Sequence, residues 1–289
     1  MTFENELIGC ILNFNPNVEI IHTGLVGKAA LVRDKNILFH LLPIPYVGIK
    51  DLSPTYFQEK SLEYASRGIQ LVHLWQDVWV AKQAIVRSRI AVFTGSYERI
   101  FARQTEVRRI TKDVASIFFA TNHLQGFVNG RYHYGLYYDG RLVTAASFSA
   151  GRKMTRNSTT VRSFELLRFA NVLHHRVTGG LGKLIARFIK DVNPDDIMTY
   201  ADLDWGDGKS YRSLNFEMIS ITPPQNFWTH PDEMIRYYPN RLPQQLTDEF
   251  QQQKKNVVMD DFLKDKGYNS VYNAGNLKFL LDAKKTLLL

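Results

Sequence analysis

Apolar and polar positions along the 289 residues change period several times, and each change marks an element. Residues 54–67 predict a helix: Pro54 opens it, Phe57, Leu62 and Ala65 recur on one face, and Gly68 suits a left-handed close. The apolar run 69–75 (IQLVHLW) predicts a buried strand. Residues 80–93 return to helical spacing with a basic polar side, and Gly95-Ser96 breaks that pattern as a candidate domain boundary. A helix capped by Thr111 or Asp113 runs to about Asn122. Next come two β-prone runs around Asp139-Gly140, the residue pair that a type I′ hairpin turn favours. Beyond it, 162–170 reads as a strand, and 180–191 as a helix with Leu184, Ile185, Phe188 and Ile189 on one stripe. Residues 197–203 form a strand, 208–215 a short helix and 216–221 a strand, before Pro223-Pro224 ends the unit. The tail from 232 mixes helical stretches with turns at Gly267 and Gly275. This order predicts an α/β (α+β) architecture with a mixed sheet flanked by helices.

Composition narrows the class. Hydrophobic residues make up 45% and aromatics 12%, enough for a substantial core and against a disordered chain. The single cysteine, Cys10, excludes a disulfide framework and fits a reducing, cytoplasmic setting. Glu4 and Glu6 stand where an export signal would carry basic residues, and no apolar stretch approaches the ~18 residues of a membrane span.

Charge changes the picture more by place than by total. The net charge is +8. Residues 82–112 carry eight Lys/Arg against two acids, and 151–176 carry six against one, so these windows exceed the whole surplus. They read either as solvated faces or as footprints for nucleic acid or a phosphorylated cofactor. Between strand and helix lies VTGGLGKLI (177–185). A glycine-rich helix N-terminus offers open N–H groups to a phosphate, and Lys183 adds a cation. The spacing is neither that of a P-loop nor that of the dinucleotide fingerprint.

A hairpin, a strand, this glycine loop, a strand and then S-Y-R-S-L-N-F together resemble the GCN5-related N-acetyltransferase (GNAT) superfamily. Its closing Tyr-x-x-x-Gly-Phe pattern matches Tyr211, Leu214 and Phe216, with Asn215 in place of Gly. Its cofactor loop, Gln/Arg-x-x-Gly-x-Gly/Ala, matches Gly180 and Gly182, with Val177 at the first position and Arg176 one residue early. Over roughly 100–235, the segments NHLQG (122–126), YGLYYDGRLV (134–143), FELLRF (164–169), VTGGLGKLI and TYADLDWGDGKSYRSLNF (199–216) are similar to phage-type homing-endonuclease-like proteins. They are more distantly similar to the phage Mom DNA-modification family. Residues 50–93, with FQEKSLEYASRGIQLVHLWQDVW, resemble part of a Vsr-like nuclease domain.

The resemblance implies three parts: a Vsr-like, restriction-endonuclease-like domain at 1–98, a GNAT-like domain at 99–235 and a C-terminal extension at 236–289. It implies acetyl-CoA or another acyl-CoA, held by Val177, Thr178, Gly179, Gly180, Leu181, Gly182 and Lys183. Tyr211 would protonate the leaving thiolate, or is a core tyrosine. Glu165 stands on a strand that sometimes carries the general base; strict alternation would put Glu165 and Arg168 on opposite faces unless the strand bulges. Arg168 and Asp202 match substrate-holding positions of the Mom-like proteins, or form an ion pair between strands. His123 is a base or a helix C-cap. Arg87, Arg89, Arg103, Arg152 and Lys153 are the candidate nucleic-acid contacts. Trp205, Trp228, Tyr237 and Tyr238 either stack on bases or pack in the core.

The nuclease chemistry of the Vsr-like fold needs carboxylates for Mg²⁺. The expected acidic strand reads KNILFHLLP, the later acidic position is Gln76, and Asp34, Asp51 and Asp77 lack convincing spacing. The domain therefore reads as degenerate, and no metal site is assigned. The expected function is acyl transfer from a CoA-type donor to DNA or another nucleic acid. The rivals are a homing-type endonuclease, which alone would need Mg²⁺, and a non-catalytic DNA-binding protein.

Overall fold

The computed structural model describes residues 2–21, 24–45, 52–156, 158–253 and 257–286. Along the chain run α1 (Phe3–Phe14), β1 (Val18–Ile21), β2 (Lys28–Val32), β3 (Ile37–Leu42), α2 (Tyr56–Ser66), β4 (Gln70–Trp75), α3 (Gln76–Thr94), β5 (Glu98–Phe101) and β6 (Glu106–Arg109). There follow α4 (Lys112–Asn122), β7 (Tyr132–Tyr138), β8 (Arg141–Phe148), β9 (Arg152–Arg156), β10 (Thr159–Asn171), β11 (His175–Thr178), α5 (Gly180–Val192), β12 (Asp196–Asp202) and α6 (Lys209–Arg212). The chain continues through β13 (Glu217–Ile221), β14 (Asn226–Thr229), β15 (Arg236–Tyr237), α7 (Gln244–Gln251), α8 (Met259–Asp265), β16 (Asn269–Tyr272) and β17 (Asn276–Asp282). The fold is mixed α+β, with several sheets flanked by helices.

Two compact units interleave along the chain. The first gathers Met1–Gln83, Asp202–Asp207 and Thr222–Asn276; the second gathers Ala84–Ala201, Gly208–Ile221 and Leu277–Leu289. The chain passes between them within α3, one residue beyond Lys82, whose backbone (φ −137°, ψ 36°) interrupts the helix. The sequence divisions at 98/99 and 235/236 fall inside the second and first units respectively. Gly95, with φ 92°, closes α3.

The first unit holds the sheet β1-β2-β3-β4, in which β3 and β4 are parallel. The pairing of β3 with β4 sets His40 beside His73, both fully buried. His40 Nε2 meets the Val26 carbonyl, the two Nδ1 atoms are 3.0 Å apart, and His73 Nε2 is 2.9 Å from Ser61 Oγ. With His40 donating to Val26, a neutral arrangement has Nδ1 of His73 donating to His40 and Ser61 donating to Nε2 of His73, which leaves the Phe57 carbonyl, 3.3 Å from that nitrogen, outside the chain of bonds. Both rings are then neutral. Burial, which disfavours the charged form, pushes His40 down to about 4 and His73 well below its usual value. A smaller sheet, β15-β14-β16, packs Trp228 with Leu246, Phe262, Leu263 and Tyr268.

The second unit is built on an eight-stranded sheet, ordered β13-β17-β12-β10-β8-β7-β6, with β9 against β10. The β7–β8 turn has positive φ at Asp139 (47°) and Gly140 (74°), as a type I′ hairpin demands. The Thr111 hydroxyl caps α4 by accepting from the Val114 amide at 3.3 Å. α4 buries Ala115, Phe118 and Phe119 against Ala145 and Ala170. α5 lays Leu184, Ile185, Phe188 and Ile189 into the core, and the Phe188 ring stacks on Phe148 at 3.9 Å. Short apolar runs are ambiguous in sequence, and two elements differ accordingly. α3 begins at Gln76, directly after β4, and the helix expected over 208–215 is regular only at Lys209–Arg212. The C-terminal extension supplies β17, which lies between β12 and β13.

Candidate functional site

β10 is paired on both sides and then released. It runs parallel to β12 from Ser163/Asp196 to Leu166/Thr199. Against β8 its register shifts between Leu166 and Arg168, a β-bulge. The Thr199 hydroxyl donates to the Leu166 carbonyl at 3.0 Å, tying the strands at the last paired position. Past this point the two strands share no further register pairs.

This bulge lies between Glu165 and Arg168, so strict alternation does not hold across the pair. The Glu165 carboxyl is half-buried, and burial raises it above the usual carboxylate range; Arg152, Arg168 and Lys278 pull it partly back. Arg168 Nε donates to the Gly126 carbonyl at 3.1 Å, and Nη1 to its neighbour's, Leu167, at 2.7 Å. His123 sits at the α4 C-cap. Its Nδ1 accepts from the Gln125 amide at 3.2 Å, which leaves the proton on Nε2. Burial first, then the Arg168 and Arg89 cations, push this histidine down to about 3. It is a neutral donor at neutral pH, with no ring nitrogen left to take a proton.

Tyr211 lies between Phe216 and Phe279, with ring centroids at 5.5 and 5.4 Å. Burial raises its phenol, while the Thr199 hydroxyl and Arg89 pull it down. The phenol therefore neighbours the hydroxyl that ties β10 to β12. The chain leaves α6 through Asn215, whose φ of 62° is left-handed. This is a backbone position that Gly adopts freely and that Asn tolerates better than most residues.

At the glycine loop, Gly179 has φ 78° and α5 starts at Gly180. The first helical hydrogen bond runs from the Lys183 amide to the Gly179 carbonyl at 3.0 Å, so the amides of Gly180, Leu181 and Gly182 precede the ladder. A Cβ on Gly180 would stand 3.0 Å from Val177 Cγ1, and one on Gly182 3.1 Å from Leu214 Cδ2, so both glycines also serve close packing. Val177 is buried and Thr178 is exposed. Lys183 behaves differently from the free cation expected of the loop: its ammonium is held by the carbonyls of Ala102 (2.8 Å) and Thr105.

Two cations that the motif reading did not assign stand nearer the loop. Parallel pairing of β11 with β5 sets Arg176 beside Arg99. Arg99 donates to the Tyr97 hydroxyl at 3.0 Å, Arg176 lies over that ring at 5.8 Å, and the two guanidiniums hold the phenol below its usual value. The pairing joins residues far apart in sequence, so no local motif carries it. Open amides, an exposed Thr178 and paired arginines form a donor set that fits a pyrophosphate.

The remaining candidates are dispersed. Arg89 is half-buried, and its charge acts on His123 and Tyr211. Arg87 is half-buried, while Arg103, Arg152 and Lys153 are exposed. Asp202 groups with the first unit, where it accepts from the Asp204 amide at 3.1 Å. Burial and the Asp202 charge push Asp204 up to about 7. Asp77 is 2% exposed and gives both oxygens to Arg236. Asp34 bonds Asn15 and Lys35 in an exposed turn, Gln76 accepts from the Ile44 amide, and Asp51 lies outside the described residues. Among the described residues no three His, Cys, Asp or Glu side chains converge as metal ligands, and no helix is long and apolar enough to cross a membrane. Trp205 and Trp228 are core residues at 6% and 1% exposure, whereas Tyr238 is exposed.

No protein-family model matches the chain, and no curated protein does. Solved structures similar to it include Eis1 from Mycobacterium abscessus, at 14% identity over 43% of this chain and a TM-score of 0.34. The match spans 33% of the Eis1 chain, about a third of its length. A Bacillus subtilis acetyltransferase in complex with CoA aligns at 10% identity over 62% of this chain and 98% of its own, with a TM-score of 0.34. A KacTA–DNA complex aligns at 18% identity over 40% of this chain and 87% of that one, with a TM-score of 0.30. Similarity at this level places the chain in no family; the fold rests on the strand order and register above.

Proposed function

We propose that the second unit is a GNAT-like N-acyltransferase that uses an acyl-CoA and acts on DNA or another nucleic acid. One observation carries this reading: the pairing of β10 with β12 ends at Leu166 and Thr199, with the Tyr211 phenol beside Thr199 and a glycine-opened helix between the two strands in sequence. The donor would be held by the amides of Gly180, Leu181 and Gly182, with Thr178, Arg99 and Arg176 beside them. When bound, it supplies an activated carbonyl and a thiolate leaving group. Glu165 takes the proton of the attacking amine, a role favoured by a carboxyl raised toward neutrality. Tyr211 gives its proton to the departing sulfur, and its raised phenol stays protonated until that moment. Neutral His123 donates from Nε2 and orients groups without taking a proton. The acceptor class is supported by the exposed cations Arg103, Arg152 and Lys153.

The test is acyl transfer to an oligonucleotide, followed by thiol release from acetyl-CoA and by mass gain of the acceptor. Equimolar thiol release and acetylated oligonucleotide are expected. Thiol release without modified acceptor would remove the nucleic-acid half of the proposal. Absence of both would remove the whole.

A further inference from the structure

The second unit also contains a cavity of about 890 Å³, away from the glycine loop, lined by Arg109, Lys112, Asn129, Arg131, Tyr132 and His133. Among the described residues no carboxylate lines it, and none pairs with Arg109, Lys112 or Arg131. This differs from basic residues nearby. Arg108 pairs with Glu106 and Arg156 with Asp196. They come from different elements: Arg109 from the end of β6, Lys112 from the start of α4, and Arg131 from the loop entering β7. Arg109 is fixed by its place over the Tyr132 and Tyr134 rings, at 5.6 and 5.7 Å. The loop is fixed too. The Arg131 amide donates to the Phe148 carbonyl at 2.8 Å, and a Cβ on Gly130 would stand 2.8 Å from the same oxygen. Only glycine lets that segment lie so close.

All three cations are exposed, so solvent screens them from one another, and an anion seated among them would be attracted by all three. The cations also continue outward. Ala150 lines the cavity, and after it β9 presents Arg152 and Lys153 to solvent. Arg152 in turn acts on Glu165. These cations extend the basic surface from Ala150 toward Glu165: Arg152 pairs opposite Ser163, two residues before Glu165 on β10. A free phosphate would use one end of this surface; a polymer of phosphodiesters uses its length.

We infer that this cavity seats the phosphodiester backbone of a single nucleic-acid strand and that the β9 cations guide the strand toward Glu165. The inference rests on the acyltransferase reading for its orientation, and on the cavity alone for binding.

The test uses a fluorescently labelled single-stranded DNA 20-mer and anisotropy across a salt series. The double variant Lys112→Glu, Arg131→Glu is compared with wild type and with Lys112→Gln, Arg131→Gln. Both positions are exposed, and an acid in the first turn of α4 suits the helix dipole. The reversal variant is expected to lose at least tenfold in affinity. Its slope of log K against log salt should be shallower by about 1.4, from about 0.7 per lost contact. The Gln variant should fall between, and all three proteins should melt alike. Unchanged affinity and slope overturn the inference. So does a melting shift by inorganic phosphate, abolished in the variants, with no oligonucleotide binding, because the site then takes a small anion. Calorimetry with acetyl-CoA on the same samples reads the acyl-donor half separately, so either half can fail alone.

Discussion

The Arg168 charge favours the ionised form of the Glu165 carboxyl, and a bulge shifts β10 between Leu166 and Arg168, so strict strand alternation does not hold across the pair. The relationship makes a kinetic prediction. Glu165→Gln should lower kcat by about 10²–10⁴-fold, the usual worth of a positioned base. Arg168 favours the ionised carboxylate, so Arg168→Met should raise the Glu165 pKa and move the acid limb of the rate profile to higher pH. A limb that stays in place would separate the two residues.

Tyr211→Phe keeps the ring contacts with Phe216 and Phe279 and removes only the hydroxyl beside Thr199. Turnover should fall by about 10²-fold or more with donor affinity retained. If turnover is retained, Tyr211 is a packing residue and the leaving sulfur takes its proton elsewhere.

Asn215 tests backbone geometry alone. With φ at 62°, Asn215→Gly should fold as well as wild type, whereas Asn215→Val should lose about 1–2 kcal/mol or more in chemical denaturation. Equal stability of the two variants would show that the turn relaxes out of the left-handed region.

The His40–His73 pair predicts acid sensitivity. Both rings bind protons more weakly folded than unfolded, so their contribution is present above the unfolded value near 6.5 and is lost as pH falls toward the folded ones. For His40 the loss down to about pH 4 is on the order of 3 kcal/mol. Asp204, pushed up to about 7, works in the opposite direction, since its neutral form is favoured in the folded state below that pH. Histidine NMR separates them: the His40 and His73 resonances should show no titration near pH 6.5, and an ordinary titration there would contradict the buried neutral network.

Local signals in the sequence were enough for much of the second unit. The Asp139-Gly140 turn, the Thr111 cap and the α5 stripe each arise from neighbouring residues, and each is found in place. What stayed hidden depends on partners distant in the chain. The bulge in β10 is set by pairing with β8, the Arg99–Arg176 pair by a parallel β5–β11 register, and the insertion of β17 beside β12 by the closing of the sheet. Lys183 looks like a phosphate ligand until the carbonyls of Ala102 and Thr105 are brought to it. Asn215 holds a left-handed backbone, which its residue type permits and the sequence alone does not reveal.

The central claim is that the glycine loop and the ends of β10 and β12 hold an acyl-CoA, and calorimetric titration of acetyl-CoA into the full chain tests it most directly. Saturable binding is expected, with folding stabilised by about 2.7 kcal/mol at a hundredfold excess over Kd, and with both effects lost in Gly180→Asp. No heat of binding and no stabilisation by acetyl-CoA would contradict the account.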